Sequence, residues 1–268
     1  MINKLLYIVN NKEIIEDLKK VGVKNFLFPL KDFCVGFNNT YDFDEIENDS
    51  FIFINRILDN ESLDLLEQKL NDNRDKIKGI VYDDFGVLYL INKLKLNVIT
   101  VNYQNHFGTN YQSINENLKY NDSVVISTDI TRNEIEEILK KVEKEVCIFL
   151  FGLIPVMYSR RTLLTNFSKE FNIPTKNNAL IDEKISKNKF IMVENAYGTV
   201  GYQRNYYDGL ELLNLENIKY FLVNPLFLSD KEQVELIRDI KNKNLTLNIP
   251  NDKGFLYKET IYKLREEK

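Results

Sequence analysis

Two adjacent arginines, Arg160 and Arg161, stand out in this 268-residue sequence for their type and position. They follow an apolar, strand-forming run that ends at Gly152, in the stretch VCIFLFGLIPVMYSRRTLLTNF of residues 146–167. A partly buried cation is unfavourable unless it is paired, so guanidinium groups next to a buried strand need a partner. The sequence therefore predicts an anion at this point, supplied either by an acidic side chain or by a ligand.

The acidic pair Asp83 and Asp84 is a second candidate, because it ends the strand-like run GIVYDD. A carboxylate in this position can act as a general base or as a ligand for a divalent ion. The alternative is structural, since an aspartate just before Phe85 would serve as the N-cap of the following helix. The sequence leaves both interpretations open, and it does not decide whether a divalent ion binds at Asp83 or at Asp129.

His106 is the only histidine, in the loop sequence NYQNHFGTN, so multi-histidine metal sites are excluded and a single imidazole base is available. Cys34 lies in an earlier loop and could be a nucleophile with His106 as its base. The alternative is that His106 is an inert loop residue. Cys147 falls inside an apolar run and is expected in the core. No HExxH, GxSxG, GxGxxG or P-loop pattern is present, which leaves a Ser-His or zinc protease without its motif.

These residues fall at the ends of short apolar runs that alternate with amphipathic helical segments. Near-continuous apolar strands indicate a sheet that is buried on both faces. Eight β/α steps close most naturally into a (β/α)8 TIM-barrel-like fold, with a doubly wound open sheet as the alternative. We predict one domain over residues 1–268, with a β-hairpin inserted after the seventh strand and turning near residues 195–197. The predicted strands are 4–9, 25–30, 51–55, 79–84, 97–102, 123–129, 145–152 and 219–225.

In such a barrel the functional groups gather where the strands end. Polar residues follow most of the predicted strands, and together they suggest a polar-lined mouth. Any one asparagine among them is equally explained as a turn or cap residue. The strand-end set comprises Cys34, Asn55, Asp83, Asn102, Thr128, Asp129, residues 152–161 and Asn224.

The overall composition limits which partners and which cellular compartment are expected. The net charge is −4 with a pI near 5.4, so no global basic field favours nucleic acid, although a local basic patch is compatible with these values. No apolar stretch reaches the roughly 18 residues that a membrane span needs. The N-terminus lacks the features of a signal peptide, and only two cysteines are present, so we expect a reducing cytoplasm.

The run FGLIPVMYSRRTLLTNF, followed by VENAYGTVGY and FLVNPLF, resembles peptidase family U32. The similarity extends to YDDFGVL and to the loop DFCVGFNN, although only the motif after the seventh strand is specific. The resemblance implies a (β/α)8-like barrel, in agreement with the strand count. The family was named for a collagenase-type protease. Other members carry out hydroxylations that do not use oxygen gas, in ubiquinone synthesis, on tRNA (with prephenate, at the wobble uridine) or on ribosomal RNA.

Many of those members hold an iron–sulfur cluster on four cysteines, one in the N-terminal loop and three in and after the seventh-strand motif. Cys34 lies near the first position, but Ser, Arg, Arg and Thr follow Tyr158, and no cysteine occurs further on. Two thiols cannot complete a four-cysteine site. We therefore expect no iron–sulfur cluster and predict no other cofactor.

The resemblance implies a cluster-free member or accessory subunit in prephenate-dependent tRNA wobble-uridine hydroxylation, with tRNA and a longer U32 homologue as partners. A small anionic ligand or an RNA phosphate would bind Arg160 and Arg161. The alternatives are a peptidase, hence a hydrolase, and a non-catalytic binding subunit of a longer homologue. The residues expected to complete the binding site are Tyr158, Ser159, Asn102, Asn110 and Glu194. The catalytic candidates are Asp83, His106 and Cys34.

Overall fold

A computed structural model describes residues 2–104, 106–184 and 188–258 of the chain. Up to Gly152, strands and helices alternate along the sequence. The strands are β1 (Leu5–Ile8), β2 (Asn25–Pro29), β3 (Ser50–Ile54), β4 (Ile77–Tyr82), β5 (Ile99–Asn102), β6 (Ser123–Ile126) and β7 (Val146–Gly152). The helices are α1 (Ile15–Lys20), α2 (Asn60–Asp72), α3 (Phe85–Leu94), α4 (Tyr111–Leu118) and α5 (Arg132–Leu139), with short 3-10 turns at Ile2–Lys4, Lys12–Ile14 and Arg74–Lys76.

After β7 the alternation is interrupted before it resumes. The interruption contains β8 (Pro155–Ser159), α6 (Leu163–Glu170), β9 (Asn178–Asp182), β10 (Lys189–Asn195), β11 (Gly198–Gln203) and β12 (Tyr206–Asp208). The chain continues with a 3-10 helix at Leu210–Asn214, β13 (Ile218–Asn224), α7 (Asp230–Asn242) and the two-residue β14 (Asn251–Asp252). The segment between β12 and β13 therefore forms only this 3-10 turn and no α-helix, because the backbone is already extended at Leu215.

Eight parallel strands close into a barrel, because β13 pairs both with β1 and with β7. The predicted (β/α)8 barrel is confirmed, and the open doubly wound sheet is wrong. All seven residues of β7 are buried, as expected for a strand covered on both faces. The carboxyl ends of all eight strands lie on the same side of the barrel. Side chains from distant parts of the sequence therefore meet at one mouth.

The inserted hairpin is also confirmed, with β10 and β11 antiparallel and a turn between Asn195 and Gly198. It belongs, however, to a four-stranded sheet in the order β8-β11-β10-β9. The arginine-containing motif therefore does not follow β7 as a loop, because Pro155–Ser159 forms an edge strand of the inserted sheet and pairs with β11. In the part of the chain that is described, no helix is long and apolar enough to cross a membrane.

Candidate functional site

A partly open cavity of about 70 Å³ lies where the barrel strands end and the inserted sheet covers them. Most of its wall is aromatic. Phe53 makes edge contacts with Phe37 and Tyr103, with ring centroids 5.8 and 5.1 Å apart. The remaining aromatic residues of the wall are Tyr158 and Tyr202, and the polar groups are Asn55, Asp83 and Asn224.

The inserted sheet is held over the mouth by contacts to the loop that follows β2. The Asn195 side chain donates to the Cys34 carbonyl (2.9 Å), and the Tyr202 hydroxyl donates to the Gly36 carbonyl (2.8 Å). Tyr197 donates its hydroxyl to Asp32 (2.8 Å), and its ring lies 4.2 Å below the Arg56 guanidinium. These contacts fix the aromatic roof of the cavity relative to its floor.

Asp83 lies in the cavity wall at the end of β4. Its carboxyl group forms no hydrogen bond or ion pair with the residues that the structure describes. Burial and, to a smaller extent, the neighbouring Asp84 raise the pKa of this carboxyl, and with the opposing effect of His106 it reaches about 6. An unpaired carboxyl with a raised pKa in a cleft is typical of a functional group rather than of a structural one.

Asp84 has the structural role that the sequence left open. Its Oδ1 accepts a hydrogen bond from the Gly86 amide (2.7 Å) as the N-cap of α3, and its Oδ2 accepts one from the Leu58 amide (2.9 Å). The pair is therefore divided: Asp84 holds the backbone of two elements, and Asp83 faces the cavity.

Replacing Asp84 with alanine is expected to lower the free energy of unfolding by about 1–2 kcal/mol, because the helix cap and the Leu58 amide both lose their acceptor. Urea denaturation at pH 7 measures the change. Asp83→Asn is the matched control and is expected to cost no stability, because it removes a buried charge without breaking a hydrogen bond. An equal loss in both variants would contradict this division of roles.

Cys34 and His106 do not form the pair that a cysteine nucleophile needs. The Cys34 thiol is 1% exposed and donates to the Phe53 carbonyl (2.8 Å), and burial raises its pKa to about 12. A thiol with this pKa carries almost no thiolate at neutral pH. The His106 ring is exposed instead, and its Nδ1 lies 3.2 Å from Asp129 Oδ2.

Two asparagines that were expected at the mouth have other positions. Asn102 is fully buried, and its Oδ1 accepts a hydrogen bond from Asn117 in α4 (2.9 Å), so its side chain points away from the barrel axis. Asn110 is the N-cap of α4 and accepts a hydrogen bond from the Ser113 amide (2.9 Å). The cap interpretation is therefore correct for Asn110.

Arg160 and Arg161 are both exposed, contrary to the expectation that they are partly buried. The cause is β8, which carries them onto the outer rim of the inserted sheet. Arg160 donates to Asp59 (3.1 Å), the N-cap of α2, in an exposed ion pair. The guanidinium of Arg161 forms no ion pair within the described chain, while Ser159 accepts a hydrogen bond from the Arg161 amide (3.1 Å).

Glu194 lies in the inserted sheet and binds protein groups. Its carboxylate accepts hydrogen bonds from the amides of Leu164 (2.6 Å) and Thr165 (3.0 Å), at the start of α6. It also accepts from the hydroxyls of Thr165 (2.6 Å) and Thr199 (2.8 Å). Burial opposes ionisation of this carboxyl, but these donors outweigh burial and lower its pKa. Each carboxylate oxygen of Glu194 thus accepts two hydrogen bonds from the protein itself.

Arg56 is a rim residue that sequence reasoning missed. It is only 8% exposed, and it donates to the Asp32 carbonyl (2.6 Å) and to the Ser62 hydroxyl (3.0 Å). It comes two residues after the end of β3, so its place after a strand was the available signal. No spacing rule, however, connects Arg56 with the Tyr197 ring, which is more than a hundred residues away.

Fold and site together define a (β/α)8 barrel whose mouth is covered by an inserted antiparallel sheet and contains an unpaired carboxyl group. The family model described as "Peptidase family U32" matches residues 40–175, about half of the chain. The chain belongs to peptidase family U32. The matched segment ends inside the inserted region, beyond the motif that includes Arg160 and Arg161.

No curated protein matches the sequence. Among solved structures, a chitinase from Chromobacterium violaceum superposes with a TM-score of 0.40 at 9% identity, covering 90% of this chain and 99% of the chitinase. A protein from Bacillus subtilis described as a sporulation-specific glycosylase gives a TM-score of 0.28 at 8% identity, covering 82% and 87% of the two chains. Neither likeness bears on the activity of this chain.

Proposed function

We propose that this U32 protein takes part in the prephenate-dependent hydroxylation of the tRNA wobble uridine as a cluster-free member or accessory subunit. In this proposal a longer U32 homologue in the cytoplasm carries the redox chemistry. The protein contributes an anion site on the rim of the barrel mouth, where Arg160 and Arg161 bind an RNA phosphate or a small carboxylate.

The exposed Arg161 guanidinium is the observation that carries the proposal. It lies beside Arg160 on the rim, and no acidic side chain of the described residues neutralises it. Arg160 itself has only an exposed partner, Asp59, and exposed ion pairs contribute about 0–1 kcal/mol, so an incoming anion can compete for it.

The charge distribution along the chain supports an anionic partner at this sheet. Residues 155–205 contain eight lysines and arginines against four acidic residues, a net charge of +4, in a chain whose net charge is −4. The remaining residues therefore carry a net charge of −8. A local basic segment on an acidic protein attracts a polyanion to one surface and repels it from the others.

The two cysteines support the cluster-free part of the proposal. Cys34 donates to the Phe53 carbonyl, and Cys147, inside β7, lies 3.3 Å from the Ser123 hydroxyl. Burial raises the pKa of the Cys147 thiol to about 11, so thiolate formation, which metal binding requires, is unfavourable.

Deleting the gene in a host that contains hydroxylated wobble uridine is expected to reduce that modification at least tenfold. Nucleoside mass spectrometry of purified tRNA measures the reduction. A plasmid copy with Arg160→Ala and Arg161→Ala is expected to fail to restore the modification, because the anion site is lost. Arg238→Ala, which removes an exposed arginine on α7, is the matched control and is expected to restore it. Unchanged modification in the deletion strain would contradict the proposal.

A hydrolase that uses Asp83 is the second candidate, favoured by the raised pKa of this carboxyl in the cavity. Asp83 would act as a general base toward water, since Cys34 is inaccessible. A purified protein that hydrolyses peptides, and loses this activity in Asp83→Asn, would favour the peptidase over the accessory function.

A further inference from the structure

We propose that the cavity at the barrel mouth binds the ammonium group of a small organic cation, with the Asp83 carboxylate as its counter-ion and the aromatic wall as its cage. The inference is independent of the proposed function, because it uses neither Arg160 nor Arg161.

The first argument is the unpaired charge of Asp83. Asp83 is partly buried, and a carboxylate that is partly shielded from water is stabilised by a cation or by hydrogen-bond donors. Within the described ranges, no side chain forms an ion pair or a hydrogen bond with it. The titratable groups that act on it are Asp84, His106, Tyr103 and Tyr158, and of these only His106 carries positive charge when protonated. His106 is directed to Asp129 instead. The missing counter-ion is therefore expected to come from a ligand.

The Tyr158 hydroxyl is a second unpaired polar group in the same wall. It is shielded from solvent and has no hydrogen-bond partner among the residues described. The Ile57 backbone approaches the hydroxyl without reaching the geometry of a hydrogen bond. Burial raises the pKa of this hydroxyl, while Ile57, Arg56 and Arg160 oppose the rise. Buried hydroxyls in native proteins are nearly always paired, so this hydroxyl, in the same cavity wall as the partly buried Asp83 carboxylate, points to a bound molecule. An ammonium group can donate to both oxygens.

The aromatic wall selects among the ligands that could pair with these groups. Five aromatic side chains line a cavity that a carboxylate makes negative, and the faces of such rings attract cations. An anion would be repelled by Asp83, and a neutral alcohol would leave the Asp83 carboxylate without a counter-ion. The nearby Arg56 does not fill the cationic position, because it is held by the Asp32 carbonyl and packs on the Tyr197 ring.

The size of the cavity limits the group that enters. The 70 Å³ is the space open to the centres of water-sized spheres, and about 10–15 Å³ on that measure holds one water molecule. The cavity therefore has room for several water-sized groups, which is enough for an ammonium group with a few carbon atoms. A larger ligand would keep only its ammonium end inside, with the remainder in solvent, because the cavity is partly open.

The test uses the full-length protein and four probes: methylammonium, n-butylammonium, n-butanol and butyrate. Binding is followed by chemical-shift changes in NMR titrations at pH 7.5. At least one of the two ammonium probes is expected to bind, and butanol and butyrate are expected to bind at least tenfold more weakly. Ammonium affinity is expected to fall about tenfold between pH 7 and pH 5, because protonation of Asp83 removes the counter-ion.

Variants separate this site from non-specific attraction to an acidic protein. Asp83→Asn is expected to weaken ammonium binding at least tenfold, and Tyr158→Phe several-fold. The control Asp182→Asn removes an exposed carboxylate on β9 and is expected to change nothing. Thermal denaturation confirms that each variant is folded.

Three outcomes would overturn the proposal. They are no binding of either ammonium probe, butanol or butyrate binding as tightly as butylammonium, and full ammonium binding by a folded Asp83→Asn variant. The wobble-uridine experiment does not depend on any of these results, so failure here and failure of the proposed function are distinguishable.

Discussion

Replacing Gly152 with alanine is expected to destabilise the protein by about 4 kcal/mol or more, and in the extreme to prevent the barrel from closing. Gly152 ends β7 with φ +132°, a backbone conformation that side chains disfavour. An added Cβ would lie 2.1 Å from the Asn224 carbonyl oxygen of β13. This oxygen belongs to the strand that completes the barrel, so it cannot move aside as a flexible side chain could.

Gly201→Ala is the matched control for this substitution. Gly201 also lies in a strand, β11, but its added Cβ would be 3.1 Å from the flexible Met192 sulfur, and its φ is not in the left-handed region. A cost of about 1 kcal/mol or less is expected there. Soluble yield, circular dichroism and urea denaturation compare the two variants. Similar stability of both would show that the close approach of β7 and β13 at Gly152 can be relieved.

The barrel was predictable from the sequence because its signal is repeated and local. Each run has a mainly apolar centre, such as residues 146–151, and eight such runs limit the topology to very few choices. The strand Pro155–Ser159 was missed because its signal is weak. It lies half-exposed at the edge of the inserted sheet, and its pairing with β11 joins residues some forty positions apart.

The site was predictable in part, at the residues whose strand position determines where they point. Asp83 follows β4 and does line the cavity, as the position of a strand end suggests. Asn102 ends β5, yet it faces α4, because neighbouring strand residues point to opposite faces and Tyr103 takes the inward position. A shift of one residue thus decides whether a side chain lies at the mouth or contacts a helix. When a strand is apolar on both faces, its sequence does not show which alternate residues point into the barrel.

Replacing Glu194 with glutamine is expected to lower the free energy of unfolding by about 2–4 kcal/mol. The carboxylate is 6% exposed and accepts four hydrogen bonds, three from the start of α6 and one from Thr199 in β11. An amide keeps one acceptor oxygen and turns an NH₂ group towards donors that already point at it. The loss is expected first in α6, so hydrogen exchange of the Leu164 and Thr165 amides should accelerate more than that of the barrel strands. Urea denaturation gives the global cost.

Glu170→Gln is the control, because this glutamate is exposed at the end of the same helix, and its change is expected to stay within about 0.5 kcal/mol. The pH dependence provides a further check. Since the folded pKa of Glu194 is lowered, its contribution is complete above the unfolded pKa of about 4.3 and is lost as the pH falls through the folded pKa. The difference between the parent and Glu194→Gln should therefore shrink in acid. A difference that stays constant down to pH 3 would mean that the variant loses packing rather than charge-assisted hydrogen bonds.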